Sequence, residues 1–122
     1  MTVLVADDQP SIVELLKLVL EDAGYAVLHA YDGAAARAIL ERERPDLVIA
    51  DINMPHLSGI ELAAWVRARE GAAAALPIVL ISAITRLPGE VTPPATAFLA
   101  KPFDLEAVVT VVEALLPPTQ DT

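Results

Sequence analysis

At 122 residues the chain fits one domain and is long enough to bury a single sizeable core. Hydrophobic residues make up 55% of it and aromatics only 4%, so that core is built from Ala, Val, Leu and Ile, which suits helices packed on a parallel sheet. Eight basic against seventeen acidic residues, a formal net charge of -9, argue against a nucleic-acid surface and for a cation or a basic partner, while the lack of cysteine excludes disulfides and thiolate metal sites.

The first apolar run, "TVLVA" at 2–6, follows Met1 with no charged leader. No later stretch approaches the roughly 20 apolar residues that span a bilayer, so the expectation is a cytoplasmic domain without membrane attachment. Residues 10–23, "PSIVELLKLVLEDA", place Ile12, Leu15, Leu16, Val19 and Leu20 at helical spacing, with Pro10 suited to the helix start and Gly24 to its end. "YAVLHA" at 25–30 predicts a second strand, and 33–43 a second helix that ends before Pro45. "DLVIAD" at 46–51 predicts a third strand. A third helix covers about 58–70, with Ser58 as its cap and Gly71 at its close.

"LPIVLIS" at 76–82 and "TAFLA" at 96–100 predict the last two strands. Between them "AITRLPGEVTPPA" carries Pro88, Gly89, Pro93 and Pro94 and predicts one short turn at most. The last helix covers about 104–116, with Asp104 as cap and Pro117-Pro118 as its stop. Residues 1–116 then form one domain, and 117–122, "PPTQDT", a tail or the start of a linker.

Short apolar runs alternating with amphipathic helices predict an α/β domain: a five-stranded parallel sheet, doubly wound, with right-handed crossovers. Ligands of such sheets sit beyond the carboxyl ends of the strands. Asp7 and Asp8 follow strand one, Asp51 ends strand three, Ser82 ends strand four and Lys101 follows strand five, so all five polar groups fall on that rim. Three carboxylates make an oxygen-only site for a hard cation, and Mg²⁺ is commonly held by one or two carboxylates plus phosphate oxygens. A lysine and a hydroxyl beside it suit the remaining phosphoryl oxygens, and a carboxylate there can itself be the nucleophile. The chemistry predicted is phosphoryl transfer onto Asp51.

The segments "VADDQP", "DLVIADINMPHLSGIEL", "PIVLISA" and "FLAKPF" resemble the diagnostic segments of the receiver domain of two-component response regulators. The resemblance covers residues 1 to about 116 and implies the strand order 2-1-3-4-5, as in the flavodoxin-like chemotaxis regulator CheY. It implies that Asp51 accepts a phosphoryl group from a phosphohistidine of a sensor histidine kinase or phosphotransfer protein. Asp8 and Asp51 would then bind Mg²⁺ directly, with the backbone carbonyl of Asn53, and Asp7 largely through water. Ser82 matches the hydroxyl that bonds a phosphoryl oxygen, Lys101 the lysine that pairs with another, and Phe98 the aromatic switch position. A homodimer or a downstream protein or output domain would read the switch, and a cis Lys101–Pro102 bond is implied as well.

Each feature has a plainer reading when taken singly. Asp8 could cap the first helix, Asp51 the following loop, and Phe98 could be permanent core. His56 reads as an exposed loop residue and Trp65 as partial packing. The chain also departs from the family: the regular fourth helix is replaced by the proline-rich segment, and an apolar Ile84 stands two residues after Ser82. A second apolar stripe on the last helix, Ala107, Val111 and Ala114, suggests a contact outside the core. The competing function is a phosphorylation-independent interaction module that keeps the fold. A small-molecule phosphatase lacks an evident general acid and cap, and a flavin-binding domain lacks its phosphate-cradling loop.

Overall fold

The computed structural model describes residues 1–82, 97–101 and 104–116. The proline-rich connection, Ile84, the Lys101–Pro102 bond and the 117–122 tail, on all of which the sequence carries expectations, lie outside the described residues. In chain order the elements are β1 (Thr2–Ala6), α1 (Pro10–Asp22), β2 (Ala26–Ala30), α2 (Gly33–Arg42), β3 (Leu47–Asp51), α3 (Gly59–Arg67), a short 3-10 turn (Gly71–Ala75), β4 (Ile78–Ser82), β5 (Ala97–Ala100) and α4 (Leu105–Leu115). The five strands form one parallel sheet in the order β2-β1-β3-β4-β5. This is the doubly wound arrangement that the sequence predicts.

Strand periodicity explains how one sheet makes two cores. Successive side chains point to opposite faces, so Leu4, Ala6, Val48, Ala50, Ile78 and Leu80 join one buried cluster with α2 and α3. Val3, Val5, Leu47, Ile49, Val79 and Ile81 join the other with α1 and α4. β1, β3 and β4 are buried along nearly their whole length, whereas the edge strands β2 and β5 are partly covered. Continuous apolar runs in the three inner strands follow from that position.

The helix ends carry four corrections. α3 stops at Arg67, short of 70, and the Arg67 Nη1 donates forward to the carbonyls of Ala74 at 3.1 Å and Leu76 at 2.7 Å. Gly71, at φ +69°, opens the 3-10 turn instead of closing the helix. Asp104 takes the cap position of α4 but its side chain caps nothing, and the cap of α1 is Gln9, so Asp8 is not a helix cap. At the start of α3 the expectation holds: Ser58 accepts from the Glu61 amide and Glu61 from the Ser58 amide, a reciprocal capping box.

Two helix faces also turn differently from the spacing argument. On α1 the buried residues are Val13, Leu16 and Leu20, while Leu15 is 47% and Leu18 68% exposed. On α4, Val108 and Val112 are buried and Val111 packs against the same cluster. Val111 is therefore part of the inner face. The outer stripe reduces to Ala107 and Ala114.

Candidate functional site

The carboxyl ends of β1, β3, β4 and β5 bring Asp7, Asp51, Ser82 and Lys101 to one rim. The register fixes this: Ala6 pairs with Ala50, Asp51 with Ile81 and Ser82 with Ala100. Asp7 and Ser82 are fully buried and Asp51 is 5% exposed; Asp8 faces solvent. Carboxylate oxygens of Asp7, Asp8 and Asp51 all lie within 4.8 Å of one another.

Lys101 joins the two buried carboxylates. Its Nζ lies 3.2 Å from Asp7 Oδ2 and 3.1 Å from Asp51 Oδ2. The other oxygen of each acid accepts a backbone amide two residues on, Gln9 N to Asp7 Oδ1 at 2.9 Å and Asn53 N to Asp51 Oδ1 at 3.2 Å. Lys101 itself is anchored where its backbone N–H donates to Ser82 O at 2.6 Å. These contacts aim both carboxylates toward the same point on the rim.

Electrostatics strain this arrangement. Burial pushes the Asp7 carboxyl above its ordinary value and the neighbouring Asp51 charge adds to the rise, against the lowering pull of the Gln9 amide and Lys101. Burial alone would lower the Lys101 ammonium, but its hydrogen bond to Asp51 and the charges of Asp7 and Asp51 outweigh it, and the result is raised. Among the described residues three carboxylates face one ammonium, a formal deficit of two positive charges. An all-oxygen donor set with that deficit fits a hard divalent cation such as Mg²⁺.

The loop after Asp51 is held from both sides. An ideal Cβ on Gly59 would fall 2.9 Å from the Asp51 carbonyl carbon and 3.0 Å from Ile52 Cα, so only glycine lets α3 start against β3. Gly59 N–H donates to Ile52 O at 3.0 Å and Leu57 N–H to Pro55 O at 2.8 Å, closing a three-residue turn about His56, whose φ is +71°. Met54 is buried in the core cluster while Asn53 and His56 are exposed, as expected for His56.

Phe98 is partly buried and packs against the core on the α2 and α3 side, as does Trp65. Arg37 and Arg69 lie over the Trp65 ring at 4.9 and 4.8 Å from its centroid. Sequence reasoning missed the capping role of Glu61, although Ser58 and Glu61 three residues apart are a readable signal. It also missed Gly33, for which no sequence pattern speaks.

Residues 3–113 match the family described as Response regulator receiver domain. The response regulator GtcR of Aneurinibacillus migulanus is 40% identical over 111 residues, covering 88% of this chain and 44% of that protein. The chain spans about half the length or less of such curated relatives. Among solved structures, the response regulator TrrA of Thermotoga maritima, determined in complex with Mg²⁺-BeF, has a TM-score of 0.86 at 33% identity, covering 94% of this chain and 98% of that one. The chemotaxis response regulator CheY4 of Vibrio cholerae has a TM-score of 0.83, also at 33% identity and with the same coverage.

Proposed function

This chain belongs to the response regulator receiver domain family, and from that premise we propose that it is a phosphoryl-accepting switch with Asp51 as acceptor. The observation that carries the proposal is the contact of Lys101 with both Asp7 and Asp51 beside a cluster of three carboxylates. A carboxylate oxygen of Asp51 attacks the phosphorus of a phosphohistidine; the P–N bond breaks, the imidazole leaves with its electron pair and takes a proton, and an acyl phosphate forms. Asp8, Asp51 and the Asn53 carbonyl would hold Mg²⁺, with Asp7 acting largely through water. Bound there, Mg²⁺ supplies charge neutralisation of the transferring phosphoryl oxygens.

Lys101 pairs with one phosphoryl oxygen and the Ser82 hydroxyl with another. Those new bonds favour one arrangement of the rim over the other, and the difference between the two arrangements is the signal. Phe98, on β5 opposite Leu80 and two residues before the partner of Ser82, is the residue proposed to register it. Residues 1–116 constitute the receiver, a kinase or phosphotransfer protein is the donor, and an output domain, a downstream protein or a second copy is the reader. The domain acts on no external substrate, and its setting is cytoplasmic. Among the described residues no helix is long and apolar enough to cross a membrane.

Amide-resolved NMR with Mg²⁺ and then beryllofluoride, a phosphoryl mimic that needs no kinase, tests this. Shifts centred on Asp51, Ser82 and Lys101 that vanish in Asp51→Asn are expected. Mg²⁺ binding with no response to the mimic would favour the phosphorylation-independent interaction module.

A further inference from the structure

The loop that carries Asn53 is pressed from outside by a residue that belongs to neither the loop nor the sheet. Gly33 is the first residue of α2 and is buried. An ideal Cβ on it would fall 2.6 Å from Leu57 Cβ and 2.7 Å from the Leu57 carbonyl carbon, and nearer still to the carbonyl oxygen. Gly33 is not among the positive-φ glycines, so backbone freedom is not the reason for glycine there. The reason is space, because the start of α2 and the loop meet backbone to backbone.

What rests on Gly33 is the strained part of the loop. His56 at φ +71° sits in a region that is unfavourable for a side-chain-bearing residue and persists only where the surroundings enforce it. On the inner side the loop is tied down by buried Met54 and by the Gly59 amide on Ile52 O. On the outer side Leu57 meets Gly33. Asn53 lies between these supports, with its amide on Asp51 Oδ1.

We propose that Gly33 is a positioning residue for the cation site: the N-terminus of α2 is a backstop that holds the 55–57 turn down and so keeps Asn53 aimed at the rim. The proposal rests on the reading of Asp8, Asp51 and Asn53 as Mg²⁺ ligands. It separates from an ordinary structural role by sign. Alanine is a better helix former than glycine, and Asp32 already caps α2 by accepting from Ala35 N, so Gly33→Ala favours the helix itself. Its cost falls on the displaced loop.

The test is a Mg²⁺ titration by amide-resolved NMR and calorimetry, with thermal unfolding, on the wild type, Gly33→Ala and Ala34→Gly. Ala34 is exposed on the same turn, and its replacement weakens α2 without touching the loop. Gly33→Ala is expected to weaken Mg²⁺ binding by about tenfold or more, the usual cost of disturbing a ligand's support, while Ala34→Gly lowers the unfolding midpoint and leaves Mg²⁺ affinity unchanged. Equal affinity in Gly33→Ala and wild type overturns the proposal, as does an equal loss in Ala34→Gly. If Gly33→Ala does not fold, Leu57→Gly removes the Cβ part of the contact from the loop side and leaves the backbone part; weakened Mg²⁺ binding is expected, and unchanged binding overturns the proposal. A wild type that binds no Mg²⁺ overturns the metal-site reading and this inference together, a result distinct from failure of the variants alone.

Discussion

Lys101 and Asp51 are fifty residues apart in sequence, yet the ammonium nitrogen lies 3.1 Å from the carboxylate oxygen, with Asp7 3.2 Å away on its other side. One cation thus holds two buried acids in a single geometry. Removing it by Lys101→Ala should destabilise the metal-free protein at neutral pH by on the order of 2 kcal/mol, below the cost of breaking a fully buried pair because the lysine keeps some solvent contact. Urea unfolding measures this, and saturating Mg²⁺ should shrink the loss.

Asp7 supplies a prediction of opposite sign. Its folded carboxyl titrates above the ordinary value of 3.8, so as pH rises past 3.8 the unfolded chain ionises first and the native state holds the extra proton. Stability contributed by Asp7 is therefore present below 3.8 and lost as pH climbs through the folded value. Asp7→Asn cannot ionise, and at neutral pH without Mg²⁺ it should unfold at a higher temperature than wild type, by about 4 °C for each kcal/mol relieved. The same variant should bind Mg²⁺ more weakly.

Lys101 predicts an alkaline limb. Its folded ammonium titrates above 10.5, so its contribution is complete below 10.5 and is lost as pH rises through the folded value. A series of urea midpoints above pH 10 should fall more steeply for wild type than for Lys101→Met.

Gly59→Ala forces a Cβ into the Asp51 and Ile52 backbone. Overpacking of this kind costs about 1–3 kcal/mol, and here it also displaces the Asp51 carboxylate. A lowered unfolding midpoint together with reduced response to beryllofluoride is expected. Full response in a destabilised variant would show that the close approach serves packing alone.

At His56 the backbone rather than the side chain sets the outcome. Glycine relieves the positive φ but gives up unfolded-state restriction, so His56→Gly should lie between neutral and about 1 kcal/mol stabilising, whereas the β-branched His56→Val should lose more than about 1 kcal/mol. Chemical denaturation of the two variants reads the difference directly.

Much of this molecule was legible in the chain because its signals are periodic. Runs such as "DLVIAD" suit strands buried on both faces, as in a parallel sheet, and parallel strands send every carboxyl end to one rim, which is where Asp7, Asp8, Asp51, Ser82 and Lys101 fall once the strands are placed. Ser58 announced the start of α3 by its own chemistry. Tertiary structure alone decided the rest: that one lysine bridges Asp7 and Asp51, that Val111 packs with the inner cluster, and that Gly33 abuts Leu57. These are distances between surfaces far apart in sequence, set by how helices seat on the sheet, and a pattern of period two or 3.6 carries no information about them.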